Sequence, residues 1–228
     1  MKVVAFVPIK LNNERLPGKN IKSFDNGRPL ISYILDTASN CTAIDETYVY
    51  CSNDAIIEYI PDRINYLKRP EWLDLSSTSI TDVMALFTQA VEADVYVLIH
   101  ATAPFISSNS IERGVNAIKL GQYDSALSVK KHQDFLWIDG KPVNYNAENI
   151  PRIQDIEPFY IETTGMYIFT RQLAVQKRRI GERPYLVDVS DIEAVDINNG
   201  ADFEIANAVF NYIILKGDTK NATQQGEV

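Results

Sequence analysis

The strongest constraint on the fold lies at the start of the chain. Val3-Val-Ala-Phe-Val7 is an uninterrupted apolar run. A strand with one wet face alternates polar and apolar residues, so a run without alternation is covered on both faces, as in a parallel sheet between helical layers. The run empties into a polar loop carrying Lys10, Arg15 and Lys19, with Asn12, Asn13 and Asn20 between them. Lys22 and Arg28 follow, against only Glu14 and Asp25, in a chain of formal charge −8. A parallel strand delivers such a loop to the carboxyl edge of its sheet, where cations and free backbone N–H groups can nest a polyphosphate. Basic loop residues are more often merely solvated, and no Gly-x-x-x-x-Gly-Lys-Ser/Thr occurs here. The order of residues must therefore carry the assignment.

Beyond the loop the pattern alternates helix and strand. Pro29 to Ala38 has helical spacing with Pro29 in the first turn, Glu46 to Cys51 alternates as a strand, and Asn53 or Asp54 caps a short helix to Tyr59. Ile64 to Leu67 reads as a strand, Ser77 to Ala93 as a helix, Asp94 to His100 as a second strongly apolar strand, Ser108 to Leu120 as a helix and Ser125 to Val129 as a strand. From about 130 to 158 the rhythm breaks. Asp139-Gly140, Pro142 and Pro151 predict an excursion with a hairpin. Tyr160 to Phe169 resumes as a strand and Ala201 to Leu215 closes the chain as a helix. This order predicts an α/β fold, a mainly parallel sheet with helices on both faces, in one domain over 1–216. The polar residues 217–228 are expected to fray.

Composition narrows the function classes. The 228 residues, 46% hydrophobic, suffice for one sizeable core. A net charge of −8 opposes nonspecific nucleic-acid binding, which draws on phosphate neutralisation. Cys41 and Cys51 have neither metal spacing nor a disulfide framework, as expected of a reduced cytoplasmic protein. The first apolar run is too short for a signal peptide, and no stretch approaches the length of a membrane span, so no membrane partner is expected.

Pro8-Ile-Lys-Leu-Asn-Asn-Glu-Arg-Leu-Pro-Gly-Lys-Asn20 resembles the signature loop of the sugar-acid cytidylyltransferases, the CMP-sialic acid synthetases (acylneuraminate cytidylyltransferases) and the related CMP-Kdo synthetases. Pro8, Leu16, Pro17, Gly18, Lys19 and Asn20 match the pattern, and Lys10 stands for its opening arginine, keeping charge but not the bidentate fork. The resemblance implies a Rossmann-like three-layer nucleotidyltransferase fold, with Lys10, Asn12, Asn13, Arg15 and Lys19 around the nucleotide. Four further segments follow in the family's order. Lys68-Arg69-Pro70 and the serines after it read on their own as a strand end and a helix cap. The resemblance puts Arg69 on phosphates and Ser79 near the nucleotide. His100-Ala-Thr-Ala-Pro104 looks like the sialic acid branch and places Thr102 on the acceptor side. His100 itself, a lone histidine at a strand end, is a structural or site-lining residue before it is an acid or base. Glu193 to Phe203 resembles the family's Ile-Asp-Ile-Asp segment. On a strand, positions 196 and 198 share a face, so Asp196 and Asn198 could both reach one Mg²⁺, while Asp202 suits a helix N-terminus. Pro151 to Tyr167 supplies Arg152, Gln154 and Thr163 for the acceptor, with Ile161 where an arginine is expected.

Together these segments imply an enzyme that joins CTP to an acidic sugar, a sialic-acid-like nonulosonic acid or another 2-keto-3-deoxy acid, giving a CMP-sugar and pyrophosphate for surface glycan synthesis. Lys19, Arg69 and Asp196 would be catalytic, and the excursion would reach a second subunit in a homodimer. The departures at Lys10, Ile161 and Asn198 keep two alternatives open: a phosphonate or sugar-phosphate acceptor, and a degenerate nucleotide-binding homologue.

Overall fold

The computed structural model describes the backbone of residues 1–224 and the side chains of residues 1–212. In chain order the elements are β1 (Val3–Ile9), α1 (Leu30–Asn40), β2 (Glu46–Cys51), β3 (Asn65–Lys68), α2 (Ile80–Ala90), β4 (Val95–Ile99), α3 (Ser108–Lys119) and β5 (Ser125–His132). There follow β6 (Trp137–Ile138), β7 (Lys141–Pro142), β8 (Phe159–Thr170), α4 (Arg171–Val175), β9 (Pro184–Asp188) and α5 (Gly200–Gln224). Seven strands form one sheet in the order β3-β2-β1-β4-β8-β5-β9, and β6 pairs with β7 as the hairpin of the excursion. Only β8 runs antiparallel to its neighbours in the large sheet.

The continuous apolar run of β1 is explained by what lies on either side. Val3, Ala5, Val7 and Ile9 pack with Ile31, Ile34 and Leu35 of α1 and with Ile111 and Val115 of α3. Val4 and Phe6 point the other way, into a cluster with Met84 and Phe87 of α2 and Leu173 of α4. Phe6 stacks on Phe87 with ring centroids 4.1 Å apart. The result is a three-layer α/β fold. A third cluster joins Phe24 and Tyr33 to Phe203 of α5, which holds the start of α5 beside the loop after β1.

Several boundaries differ from the sequence expectation for local reasons. The helix expected from Ser77 begins at Ile80, because Ser79 and Asp82 form a reciprocal capping box. The short helix after Asn53 is a 3₁₀ turn over Asp54–Tyr59, with Asn53 accepting from the Ala55 N–H as foreseen. β5 continues three residues past Val129 because β8 lengthens to pair with it. β9 and α4 carry no expected pattern and are additions. α5 runs to Gln224, past the Leu215 limit read from the sequence, since no proline interrupts it; residues 225–228 lie outside the described residues. No helix among the described residues is long and apolar enough to cross a membrane.

The order β2-β1-β4 places a reversal of strand order between β1 and β4. There the carboxyl ends of β1 and β4 lie side by side, at the edge where open α/β sheets bind their ligands.

Candidate functional site

The loop from β1 is a closed nest. Asn20 Nδ2 donates to the Lys10 carbonyl oxygen at 2.9 Å, tying the end of the loop to its beginning. Gly18, at φ 66°, makes the left-handed turn that leads into a 3₁₀ turn over Lys19–Ile21, a conformation that a side chain would strain. Lys10, Asn13, Arg15 and Lys19 line one cleft of about 270 Å³, joined by Ser76 and Asn198. Asn13 Oδ1 is buried there without a partner among the described residues. Burial pulls the Lys19 ammonium below its ordinary value; Asp196 opposes this and Arg15 adds to it. Asn12 faces away, into a neighbouring cleft with Ser52 and Asp74.

Asp196 and Asn198 lie in an irregular segment before α5, not on a strand as the spacing predicts. They are nonetheless together: Asn198 Nδ2 donates to Asp196 Oδ2 at 2.7 Å. Three contacts replace the strand. Lys19 Nζ donates to the Ile197 carbonyl oxygen at 2.6 Å, and the Ile197 N–H donates to the Thr102 carbonyl oxygen at 2.8 Å. Asp202 caps α5 as expected, accepting from the Asn198 and Asn199 N–H groups at 2.8 and 3.0 Å. Upstream, Glu193 pins the segment to the N-terminus of α3, accepting from the Ser107 and Ser110 hydroxyls at 2.6 Å each.

A second cleft of about 400 Å³ opens on the other side of Asp196, lined also by Lys130, Ile161, Glu162, Thr164 and Asp191. It owes its shape to a bulge in β8. Between the pairs Leu127–Tyr167 and Val129–Glu162, β8 spends more residues than β5, and Thr164 takes a left-handed φ of 58°. Ser128 anchors the bulge, accepting from the Met166 N–H at 3.1 Å and from the Thr163 hydroxyl at 2.8 Å. The strained Thr164 turns its hydroxyl to Asp196 Oδ2 at 3.3 Å. Gly165 permits the approach of the segment after β4; a Cβ there would sit 2.9 Å from Ile106. Asp196 Oδ1 remains buried with no partner among the described residues.

His100 donates its backbone N–H to Gly165 at 3.0 Å and meets Tyr167 edge-on. Burial and the Arg179 charge push its imidazole down to about 4, so it is neutral near pH 7. Tyr167 donates to Glu162, and the Arg179 guanidinium lies 3.8 Å over the tyrosine ring.

Several expected site residues are placed elsewhere. Arg69 is 5% exposed and forks onto Asp74 Oδ1 at 2.6 and 3.1 Å; Ser52 donates to the same carboxylate. The guanidinium is thus committed to a buried pair and lines neither cleft. Ser79 is occupied by its cap, and Ser76 reaches the nucleotide side instead. Thr102 contributes its carbonyl to Ile197. Thr163 does line the cleft beside Asp196, with its hydroxyl turned inward to Ser128. Arg152 is exposed and pairs with Asp155 at 2.7 Å, and Gln154 is exposed beside it; both belong to the excursion and reach neither cleft of their own chain. Lys130, Thr164 and Asp191 were not read from the sequence. The bulge that gathers them is a long-range pairing effect, and only Gly165 hints at it.

Among the described residues no three His, Cys, Asp or Glu side chains form a metal site. A cation shared with phosphates needs only one or two carboxylates, and the unpartnered Asp196 Oδ1 beside Asn198 fits that smaller demand.

A three-layer α/β sheet whose basic β1 loop faces one carboxylate across the strand-order reversal defines the class of α/β nucleotidyltransferase folds. The chain belongs to the cytidylyltransferase family, whose model matches residues 4–188. It is 30% identical over 133 residues to 3-deoxy-manno-octulosonate cytidylyltransferase 2 of Hydrogenovibrio crunogenus, covering 57% of this chain and 52% of that protein. It is 24% identical over 214 residues to N-acylneuraminate cytidylyltransferase A of Danio rerio, covering 90% of this chain and 50% of that one. The chain thus spans about half the length of these curated relatives. Its fold is shared with CMP:2-keto-3-deoxy-manno-octonic acid synthetase complexed with CTP, at a TM-score of 0.71 and 17% identity over 93% of this chain and 99% of that one.

Proposed function

We propose that this protein activates an acidic sugar with CTP, releasing pyrophosphate and a CMP-sugar. The observation that carries the reading is the junction at Asp196. A cationic cleft holding Lys10, Arg15 and Lys19 and a second cleft lined by Asp196 meet across the 2.7 Å bond between Asp196 and Asn198. A triphosphate in the first cleft and a hydroxyl donor in the second would approach each other there.

In this reading the acceptor hydroxyl attacks the α-phosphorus, the bond to the β-phosphate oxygen breaks, and the proton leaves to water. Little covalent work falls to the protein; positioning and charge neutralisation carry such a transfer. Lys10 and Arg15 hold phosphate oxygens. Lys19, fixed by Ile197, places its ammonium between the phosphates and Asp196. Asn13 Oδ1, a buried acceptor, suits an N–H or O–H of the nucleoside rather than a phosphate. Asp196 and Asn198 would hold Mg²⁺, which when bound would neutralise phosphate charge and lower the pKa of the attacking hydroxyl. His100 shapes the site as a neutral ring.

The same reading makes the protein a homodimer. Trp137, Ile138, Val143 and Ile150 on and beside the excursion hairpin are each more than half exposed, an apolar patch suited to a second copy. Arg152 and Gln154, idle in their own chain, would then face the partner's acceptor cleft. Free, buried Cys41 and Cys51 accord with a cytoplasmic setting.

The test is pyrophosphate release from CTP, GTP, UTP and ATP with Mg²⁺ against N-acetylneuraminate, 3-deoxy-manno-octulosonate and other nonulosonic acids. Release restricted to CTP and one acid is expected. CTP binding without release on any acid would remove the sugar-acid assignment and favour a phosphorylated or phosphonate acceptor.

A further inference from the structure

We propose that Lys130 recognises the carboxylate of the acidic acceptor and that Asp191 is the resting partner it exchanges for that carboxylate. The inference rests on reading the cleft beside Asp196 as the acceptor cleft.

Lys130 is registered opposite Ile161 across the β5–β8 ladder, so both side chains leave the sheet on one face. That face lines the 400 Å³ cleft shared with Asp196. Ile161 brings no polar group, and its surface lies beside the lysine stem. The other charges around the cleft leave Lys130 as the cation open to exchange. Arg179 is spent on the Tyr167 ring and lies 3.5 Å from Glu162. His132 stacks on Phe159 and faces Asp134 at 3.6 Å. Glu162 and Asp196 are anionic and would repel an acid group. A substrate acid is therefore driven to the Lys130 end, which leaves its hydroxyls toward Asp196 and the nucleotide cleft.

The Lys130–Asp191 pair is asymmetric. Its Nζ–Oδ1 distance is 2.7 Å, yet the lysine side chain is 24% exposed and the aspartate 89%. Lys130 holds the Asp191 carboxyl below its ordinary value through that hydrogen bond. Water competes for so exposed a carboxylate, so the pair contributes little net energy. A carboxylate delivered by a sugar already seated in the cleft arrives ordered and displaces it, while Asp191 swings into solvent.

The experiment measures KM for N-acetylneuraminate, 3-deoxy-manno-octulosonate and the other acids of the panel, and KM for CTP, in wild type, K130A, K130R and D191N. K130A should raise KM for the acid that wild type uses by roughly tenfold to a hundredfold, the loss of one charge-assisted hydrogen bond, with KM for CTP within about twofold. K130R should recover most of that loss. D191N should lower KM for the acid about two- to fivefold, because a competitor is gone. A merely structural pair predicts the opposite for D191N: a lower melting temperature with KM unchanged or raised. If wild type turns over an acid and K130A keeps its KM, or D191N raises it, the inference falls alone. If wild type turns over no acid of the panel, the reading of the cleft falls and takes the inference with it.

Discussion

The Lys19 ammonium donates to the backbone carbonyl of Ile197 at 2.6 Å, a bond between residues 178 positions apart. It fastens the β1 loop to the segment bearing Asp196, so the cation and the carboxylate of the site are held by one contact. Lys19→Ala removes this tie and, on the proposed function, a phosphate contact with it. We predict a fall in kcat/KM for pyrophosphate release of about 100-fold or more, and Lys19→Arg, with a bulkier planar head, should restore only part of it. An alanine variant within threefold of wild type (roughly 0.6 kcal/mol) would show that Lys19 has no such role.

Arg69 offers a sharper division between structure and catalysis. Removing it leaves Asp74, whose side chain is 16% exposed, without its partner. Arg69→Ala should destabilise the fold by about 3–5 kcal/mol in denaturant melts, and Arg69→Met with Asp74→Leu should regain much of that. A single variant that melts like wild type but binds CTP poorly by calorimetry would return Arg69 to the phosphates.

Gly165 lies where β8 passes the segment following β4. An alanine Cβ would stand 2.9 Å from both Ile106 Cδ1 and Cγ1, and 3.2 Å from Ala103 Cβ. Gly165→Ala should cost about 1–3 kcal/mol by overpacking, and adding Ile106→Val should relieve part of it. Thermal melts of the single and double variants decide this, since equal melting of single variant and wild type would mean the contact yields freely.

Glu193 contributes a pH dependence to stability. Burial pushes its carboxyl up, but hydrogen bonds from the Ser107 and Ser110 hydroxyls and from the Ser190 and Ser107 N–H groups outweigh this, and the net direction is down from the ordinary 4.5. The unfolded chain therefore takes up the proton more readily. The stabilisation is complete above the unfolded value and is lost as pH drops through the folded one. Glu193→Gln should melt lower than wild type at pH 7 and lose less on acidification below about pH 4.5. Parallel melting-versus-pH curves for the two proteins would contradict this.

The layers of the fold were legible because β1 and β4 are apolar without alternation, which only a doubly covered strand requires. The nest after β1 was legible too: Gly18, Lys19 and Asn20 occupy adjacent positions and act locally. Asp196 and Asn198 do lie together, but not for the reason their spacing gives. Strand spacing suggested it, whereas the Asp202 cap and the Lys19 tie accomplish it. Arg69 misled because a buried ion pair and a phosphate contact use the same residue type, and only burial separates them. The cleft beside Asp196 was legible only in part: Ile161 and Thr163 lie in the segment read for the acceptor, whereas Lys130 and Asp191 do not. Lys130, Thr164 and Asp191 are gathered by a bulge between strands about thirty residues apart in the chain, and no local pattern encodes that register.

The antiparallel β8 has a consequence for assembly during synthesis. Strands β3, β2, β1 and β4 all lie within the first 99 residues and can pair as soon as they are made. The outer edge of β4 accepts only β8, which ends at Thr170, and β5 is bordered by β8 and β9 alone. Until that point of the chain emerges, the nascent half-sheet presents an open, fully apolar strand to its surroundings, the condition under which growing chains stick to one another. The strand that shapes the cleft beside Asp196 is thus also the one that seals the growing protein against its neighbours.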